Sequence, residues 1–407
     1  MTTIILKPHK DESARRFHPW IFSGAIAKIQ LDKDYPFPAP QEGELVVVQS
    51  HGGDILGVGH YQIGSIAVRI LEFGVSTLPP HFWRDRIASA YQMRESVGLV
   101  RPDNNTYRLI HGEGDFLPGL IVDIYADTAV VQAHSAGMHL HRQEIAEAIV
   151  AVVPAVRNVY YKSDDTLPFK AQLTGDKAGY LLRAENNELR TKDEEEFWSK
   201  ENGLEFRIDW LRGQKTGFFV DQRENRALLE RYARGKDVLN MFCYTGGFSV
   251  YALRGGAHLV HSVDVSEKAV DLVRKNVARN FPDCTNHTAY ATEAFEFLAD
   301  IKDRYDLIIL DPPAFAKHRD AVKNALRGYR RLNAKAIEQI RPGGILFTFS
   351  CSQAVDKEMF RLAVFSAAAQ VGRKVRILHQ LHQPQDHPIN IYHPEGEYLK
   401  GLVLQVE

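Results

Sequence analysis

The chain has 407 residues, 44% hydrophobic and 25% charged, with 50 Lys and Arg against 51 Asp and Glu. That length exceeds what one hydrophobic core usually supports, so two or three domains are expected. The balanced charge argues against a protein that coats nucleic acid through bulk positive charge, but leaves room for a local basic patch.

No apolar run reaches the roughly 18 residues of a membrane span. The opening MTTIILKPHKDESARRF lacks the apolar stretch of a secretory signal. Three cysteines, Cys243, Cys284 and Cys351, are too few and too scattered for a disulfide framework or a zinc cluster. A cytoplasmic protein with reduced thiols, no membrane partner and no metal is expected.

Up to about Gly74, GELVVVQS, GDILGVGHY and SIAVRILEF are short segments punctuated by glycine, the pattern of a small β-domain over 1–75. Ahead of them Lys7, His9, Lys10, Arg15, Arg16 and His18 surround Trp20 and Phe22. This mixture reads either as a solvated segment beside core aromatics or as a surface that contacts phosphates and stacks bases. An α+β domain is expected over 76–190. There, residues 81–98 have helical spacing, GLIVDIYADTAVVQAH turns back through Ala126-Asp127, and HLHRQEIAEAIVAVV is a helix ended by Pro154. The acid-rich RAENNELRTKDEEEFWSKENG is the expected junction to a last domain over 191–407.

From Leu204 the rhythm becomes strand, loop, helix, repeated: KDVLNMF, HLVHSVDV, YDLIILDPP and GGILFTFS as strands, GGFSVYALRGG and SEKAVDLVRKNVARN as helices. This predicts an α/β fold with a parallel sheet covered on both faces and a ligand at the strand carboxyl ends. Four post-strand loops carry the unusual residues. NMFCYTGGFS holds Asn240, Phe242, Tyr244 and Gly246, where the glycine pair turns the backbone into a helix N-terminus. Asp264 ends the next strand, placed to accept the hydroxyls of a ribose. ATEAF offers Glu293 near an adenine, and ILDPPAF delivers Asp311 into two prolines that stiffen the turn. Without the G-x-G-x-x-G spacing, the loops suit S-adenosylmethionine better than a dinucleotide, which also makes a dehydrogenase the weaker reading.

LNMFCYTGGF, VDVS, DPPAF, RPGGILFTFSCS and EYLKG, with KTGFFVDQR upstream, resemble class I S-adenosylmethionine-dependent methyltransferases with a Rossmann-like sheet. Within that class the chain closely resembles the bacterial 23S ribosomal RNA large subunit methyltransferase I family, which makes 5-methylcytosine. RRFHPWIFSGAI and IAVRIL resemble that family's N-terminal PUA domain, an RNA-binding β-barrel, and RLIHGEGDFLPGLIVDIYAD its central α+β domain. The resemblance implies S-adenosylmethionine as cofactor, 23S ribosomal RNA as partner and a homodimer. It favours Gln222 and Arg223 on the cofactor side. The chain departs from the family where the DPP loop continues Ala314-Phe315 rather than Lys-Phe, with Lys317 the nearest lysine, and where Glu293 replaces a more usual aspartate.

Cytosine carbon 5 is a poor nucleophile. A thiolate adding to carbon 6 makes it enamine-like, so Cys351 is expected as nucleophile and Asp311 as the group that manages charge at ring nitrogen 3. The run KHRDAVKNALRGYRRLNAKAIEQIR carries Arg327, Arg330, Arg331 and Lys335 on neighbouring turns, which reads as a phosphate-contacting face or a solvated one. Two other readings stay open: a methyltransferase of the same fold acting on a guanine nitrogen or a small molecule, and an RNA-binding protein without catalysis.

Overall fold

The computed structural model describes residues 1–168, 173–184, 196–316 and 319–407, and the chain divides into two compact units. The first comprises Met1–Lys200, Ile208–Phe218 and Gln385–Gly396; the second comprises Glu201–Arg207, Phe219–Pro384 and Glu397–Glu407. Residues 185–195 of the expected junction, and Lys317, lie outside the described residues.

Two sheets build the first unit. Strands Thr3–Leu6, Trp20–Phe22, Ile26–Gln30, Leu45–Gln49, Ile55–Tyr61 and Ile66–Phe73 form a six-stranded sheet whose alternation turns Ile4, Leu6, Val46, Val48, Val68 and Ile70 onto one core. Glycine is required where strands crowd: a Cβ at Gly59 would lie 2.1 Å from the carbonyl oxygen of Arg69 on the paired strand. A five-stranded sheet, Thr106–His111, Leu120–Tyr125, Thr128–Ala133, Asn158–Lys162 and Ala178–Leu182, shares its core with helices Phe82–Ser96 and Arg142–Val152. The turn at Ala126 is left-handed, with φ 54°, as a tight hairpin demands. The helix expected from His139 begins instead at Arg142, because a separate short helix, Ala136–Leu140, is capped by Ser135.

Sequence rhythm assigned 385–396 to the last domain, but buried polar contacts place it in the first unit. The guanidinium of Arg94, fully buried, donates to both carboxylate oxygens of Asp115 and to the carbonyl of Asp386 at 2.8 Å. The Asp386 carboxylate in turn accepts the Arg108 N–H at 3.0 Å. In the N-terminal segment, the Trp20 indole donates to Glu113 at 2.8 Å and packs edge-on to His393 at 4.3 Å, so this ring is a packing residue. Lys7, His9, Lys10, Arg15, Arg16 and Phe22 are exposed.

The second unit is organised by a seven-stranded sheet in the order His287–Ala291, Leu259–Asp264, Asp237–Met241, Leu307–Leu310, Gly344–Ser350, Lys400–Val406, Val375–His382. Lys400–Val406 runs against the other six. The central strands read as unbroken apolar runs because helices such as Gly247–Arg254, Glu267–Asn280 and Val322–Gln339 cover the faces. Chain order reverses between Asp237–Met241 and Leu307–Leu310. This is the switch point at which open α/β sheets bind ligands.

Candidate active site

Register brings three of those loops and the Ser350–Ser352 turn to one edge of the second unit. Met241 pairs with Leu310, Leu310 with Thr348, and Val263 with Met241, so Phe242, Asp264, Asp311 and the Ser350–Ser352 turn all leave the sheet at its carboxyl end.

The first loop is held in an unusual backbone shape. Phe242 and Tyr244 sit at φ 58° and 45°, and Gly246 at φ 79° caps the helix Gly247–Arg254. Two non-glycine residues in the left-handed region within three positions cost energy that the surroundings must supply. They do: Asp264 Oδ2 accepts the Tyr244 N–H at 2.9 Å, Gly246 N–H donates to Cys243 O at 2.7 Å, and Cys243 N–H donates to Val263 O at 3.0 Å. Asp264 Oδ1 also accepts the Ser266 N–H at 3.0 Å. With two lone pairs per oxygen, this half-buried carboxylate keeps acceptor capacity for a ligand. Asn240 is buried, its amide donating to Ser249 Oγ at 2.9 Å, and Ser249 continues to Ser262 at 2.6 Å. Asn240 therefore braces the strand beneath the loop. Glu293 is exposed and starts the helix Ala294–Phe297. Burial pushes the Cys243 thiol well above its ordinary range, which leaves it inert.

The segment KTGFFVDQR is anchored from below. Arg226 is fully buried and forms a two-point ion pair with Glu201, at 2.8 and 2.6 Å, while donating to the Phe219 carbonyl at 3.0 Å. Gly247 packs directly on this guanidinium stem, where a Cβ would lie 2.9 Å from Arg226 Cδ. Gln222, expected near the cofactor, donates from Nε2 to Asp311 Oδ2 at 3.0 Å. Its own Oε1 accepts the Asn225 amide at 2.6 Å. Arg223 is buried and pairs with Glu224 at 3.2 Å.

The two hydroxyls flanking Cys351 have a structural role. Ser350 Oγ donates to Tyr329 Oη at 2.9 Å, and Tyr329 Oη bonds Ser352 Oγ at 2.8 Å. Ser352 Oγ also accepts the Ala316 N–H at 3.1 Å, fastening the Asp-Pro-Pro loop to the Ser-Cys-Ser turn. With both serines drawn to one side, Cys351 is half-buried, packs against the cluster on the other face of the sheet, and stands 4.0 Å from the carbonyl oxygen of Pro312. The nucleophile candidate and the residue after Asp311 are thus neighbours. Asn225, Tyr329 and Lys400 escaped sequence reasoning. Tyr329 lies within RGYRRL, where its helical spacing from Ala325 and Leu332 marks the buried face, and Lys400 lies within EYLKG, whose neighbours are apolar.

A sheet of this order, with an acidic residue ending the second strand and a glycine turn after the first, defines a class I S-adenosylmethionine-dependent methyltransferase. Comparison agrees. The S-adenosylmethionine-dependent methyltransferase family model matches residues 180–393, and a PUA-like domain model matches residues 4–73. The chain is 38% identical to ribosomal RNA large subunit methyltransferase I of Tolumonas auensis and 39% identical to that of Shewanella frigidimarina, covering 99% of each protein and of itself. A solved structure from Streptococcus mutans, proposed to be an S-adenosylmethionine-dependent methyltransferase, shares the fold at TM-score 0.80 and 22% identity over 100% of both chains. A second, a proposed methyltransferase complexed with SAH, does so at 0.80 and 23%. The chain belongs to the ribosomal RNA large subunit methyltransferase I family. It is an S-adenosylmethionine-dependent enzyme, and Asp264, with acceptor lone pairs facing a loop of fixed shape, suits the ribose of that cofactor.

Proposed function

We propose that this protein methylates carbon 5 of a cytosine in 23S ribosomal RNA, with Cys351 as nucleophile and Asp311 as its acidic partner. The observation that carries this reading is that the two residues end adjacent parallel strands, with the Cys351 sulfur 4.0 Å from the carbonyl of Pro312. S-adenosylmethionine supplies an electrophilic methyl group. The Cys351 thiolate forms a bond to carbon 6 while the electrons of the 5,6 double bond move to carbon 5, and Asp311 shares a proton with ring nitrogen 3 to hold the charge. Once carbon 5 carries the methyl, its proton passes to a base, the double bond returns and the carbon–sulfur bond breaks to regenerate the thiolate. Asp264 takes the ribose hydroxyls, with Phe242, Tyr244 and Gly246 shaping the pocket and Glu293 toward the adenine. Asn240, Gln222 and Arg223 position these groups from the buried side.

Supporting an RNA surface, Arg327, Arg330 and Arg331 are exposed on the helix that follows the Asp311 loop, whereas Lys335 is engaged by Glu338 at 3.0 Å. The PUA-like segment 1–75, a central domain over 76–190 and the methyltransferase domain from 191 divide the labour between RNA binding and chemistry. A homodimer is supported by the edge strand Val375–His382, which exposes Ile377 and Leu378, and by Leu362 and Phe365 on the helix Lys357–Val371. A cytoplasmic location is supported by ribosomal RNA as the substrate of this reading. Among the described residues, no helix is long and apolar enough to cross a membrane.

The test uses 23S RNA carrying 5-fluorocytidine, whose fluorine blocks the final elimination. Wild-type protein with cofactor is expected to form a covalent adduct that survives denaturation, and Cys351→Ala none. Nucleoside analysis of ordinary RNA showing the label only on guanosine would reject the reading.

A further inference from the structure

Among the described residues, one cluster in the first unit brings imidazole and carboxylate groups together as metal ligands stand. The ligand atoms of His18, His393 and Glu395 lie within 4.8 Å of one another. Glu395 Oε2 is their common vertex, 3.5 Å from His18 Nε2 and 3.7 Å from His393 Nε2. Both separations are too long for hydrogen bonds, which close near roughly 3 Å. They approach the edge of a coordination tetrahedron, because ligand atoms roughly 2.0–2.1 Å from one zinc ion stand roughly 3.4 Å apart. His393 points to a ligand independently: it is 3% exposed, yet neither ring nitrogen has a hydrogen-bond partner. A buried imidazole in that condition is costly, and ligation of a cation removes the cost. Glu395, exposed on its solvent side, gives an ion its way in. His18 Nδ1 accepts the Trp20 N–H at 3.2 Å, which leaves the ring proton on Nε2. A ligating imidazole carries its proton on the nitrogen away from the metal. On ligation the proton therefore passes through solvent from Nε2 to Nδ1, and the ring gives up this long bond.

We propose that His18, His393 and Glu395 bind one zinc ion, with solvent in the fourth position. Two imidazole nitrogens and one carboxylate oxygen suit zinc better than magnesium or calcium, which take oxygen ligands. The ion joins RRFHPW near the start of the chain to HPEG in the returning segment 385–396. A cation that binds only this folded arrangement stabilises it by mass action. Phe17 and Tyr392, each the residue before one of these histidines, are exposed with ring centroids 5.3 Å apart, so the ion also fixes an aromatic pair at the surface. The inference is independent of the cytosine chemistry.

The experiment titrates zinc chloride into the chelator-treated full chain by calorimetry, with cobalt(II) as a visible probe of coordination geometry and thermal unfolding as a third readout. Wild type should take one ion at this site, show the strong visible band of four-coordinate cobalt, and unfold at a higher temperature with zinc than without. Glu395→Gln and His393→Gln should each weaken zinc binding at least about tenfold and abolish the zinc-dependent rise in the unfolding midpoint. His18→Gln should do so to a smaller degree, because that ligand gives up a bond to join. Coincident wild-type and Glu395→Gln isotherms would overturn the proposal, since binding would then belong to other histidines of the 17 in the chain. A wild type that takes no zinc, or that gives only the faint absorption of six-coordinate cobalt, would overturn it as well. Should His393→Gln not fold, Glu395→Gln decides alone, because its exposed side chain leaves the core untouched.

Discussion

The phenol of Tyr329 lies 2.8 Å from Ser352 Oγ and accepts from Ser350 Oγ at 2.9 Å, so one hydroxyl on a helix holds both neighbours of Cys351. Removing it with Tyr329→Phe leaves a buried serine pair short of a partner, at a cost of about 1–3 kcal/mol. Methylation should fall about tenfold through kcat, with the KM for S-adenosylmethionine unchanged, because Tyr329 acts on the nucleophile's turn. Urea unfolding and steady-state kinetics check the two effects independently.

Gln222 is held by Asn225 and donates to Asp311. Gln222→Ala should lower kcat about 10- to 100-fold by releasing that carboxylate. Gln222→Glu puts a second acid at hydrogen-bond distance, and two like charges that close cannot both ionise cheaply. The carboxyl pair then titrates at higher pH than Asp311 does alone. A pH–rate profile whose acidic limb moves upward further in Glu than in Ala, where only the donated hydrogen bond is lost, would bear this out, and an unmoved limb in Glu would refute it.

Gly246 combines φ 79° with a site where a Cβ would stand 2.8 Å from Val273 Cγ1. Gly246→Ala therefore adds both left-handed strain and a clash, about 1–3 kcal/mol together. Weaker S-adenosylmethionine binding by calorimetry, with the RNA affinity retained, is the expected result. Equal loss of both would point to general unfolding instead.

Acid should weaken the first unit through two buried histidines. Burial holds His60 down to about 3 and His134 down to about 4. Both groups bind a proton more readily unfolded, at about 6.5, than folded. Their contribution is complete above that value and is lost as pH falls from there toward 4. For His60 alone the loss between pH 7 and 4 is roughly 3 kcal/mol. His60 packs against Trp83 and His141, at 6.2 and 5.2 Å between ring centroids. A His60→Gln variant should show a flatter dependence of unfolding free energy on pH, even if it is less stable at neutrality.

Native thiol labelling should rank the three cysteines by surroundings. Cys243 is buried and its ionisation pushed upward, while Cys284 and Cys351 are half-buried. Cys351 should react first and Cys243 only after denaturation. Rapid native labelling of Cys243 would show that the first loop opens.

Sequence alone determined the parallel sheet, the four chemical loops and the nucleophile candidate. Apolar runs bounded by glycine, proline and acid are local signals, and Asp264, Asp311 and Cys351 each end such a run. Tertiary structure alone decided what those residues are fastened to. Gln222 reaches Asp311 from 89 positions away, Lys400 lies 48 from Ser352, and Asp386 lies 292 from Arg94. Hydrophobic period reports which face of one element is buried. It does not report which polar group on a distant element completes a buried donor or acceptor, because that pairing is set only when the chain closes on itself and every desolvated polar atom must find a partner.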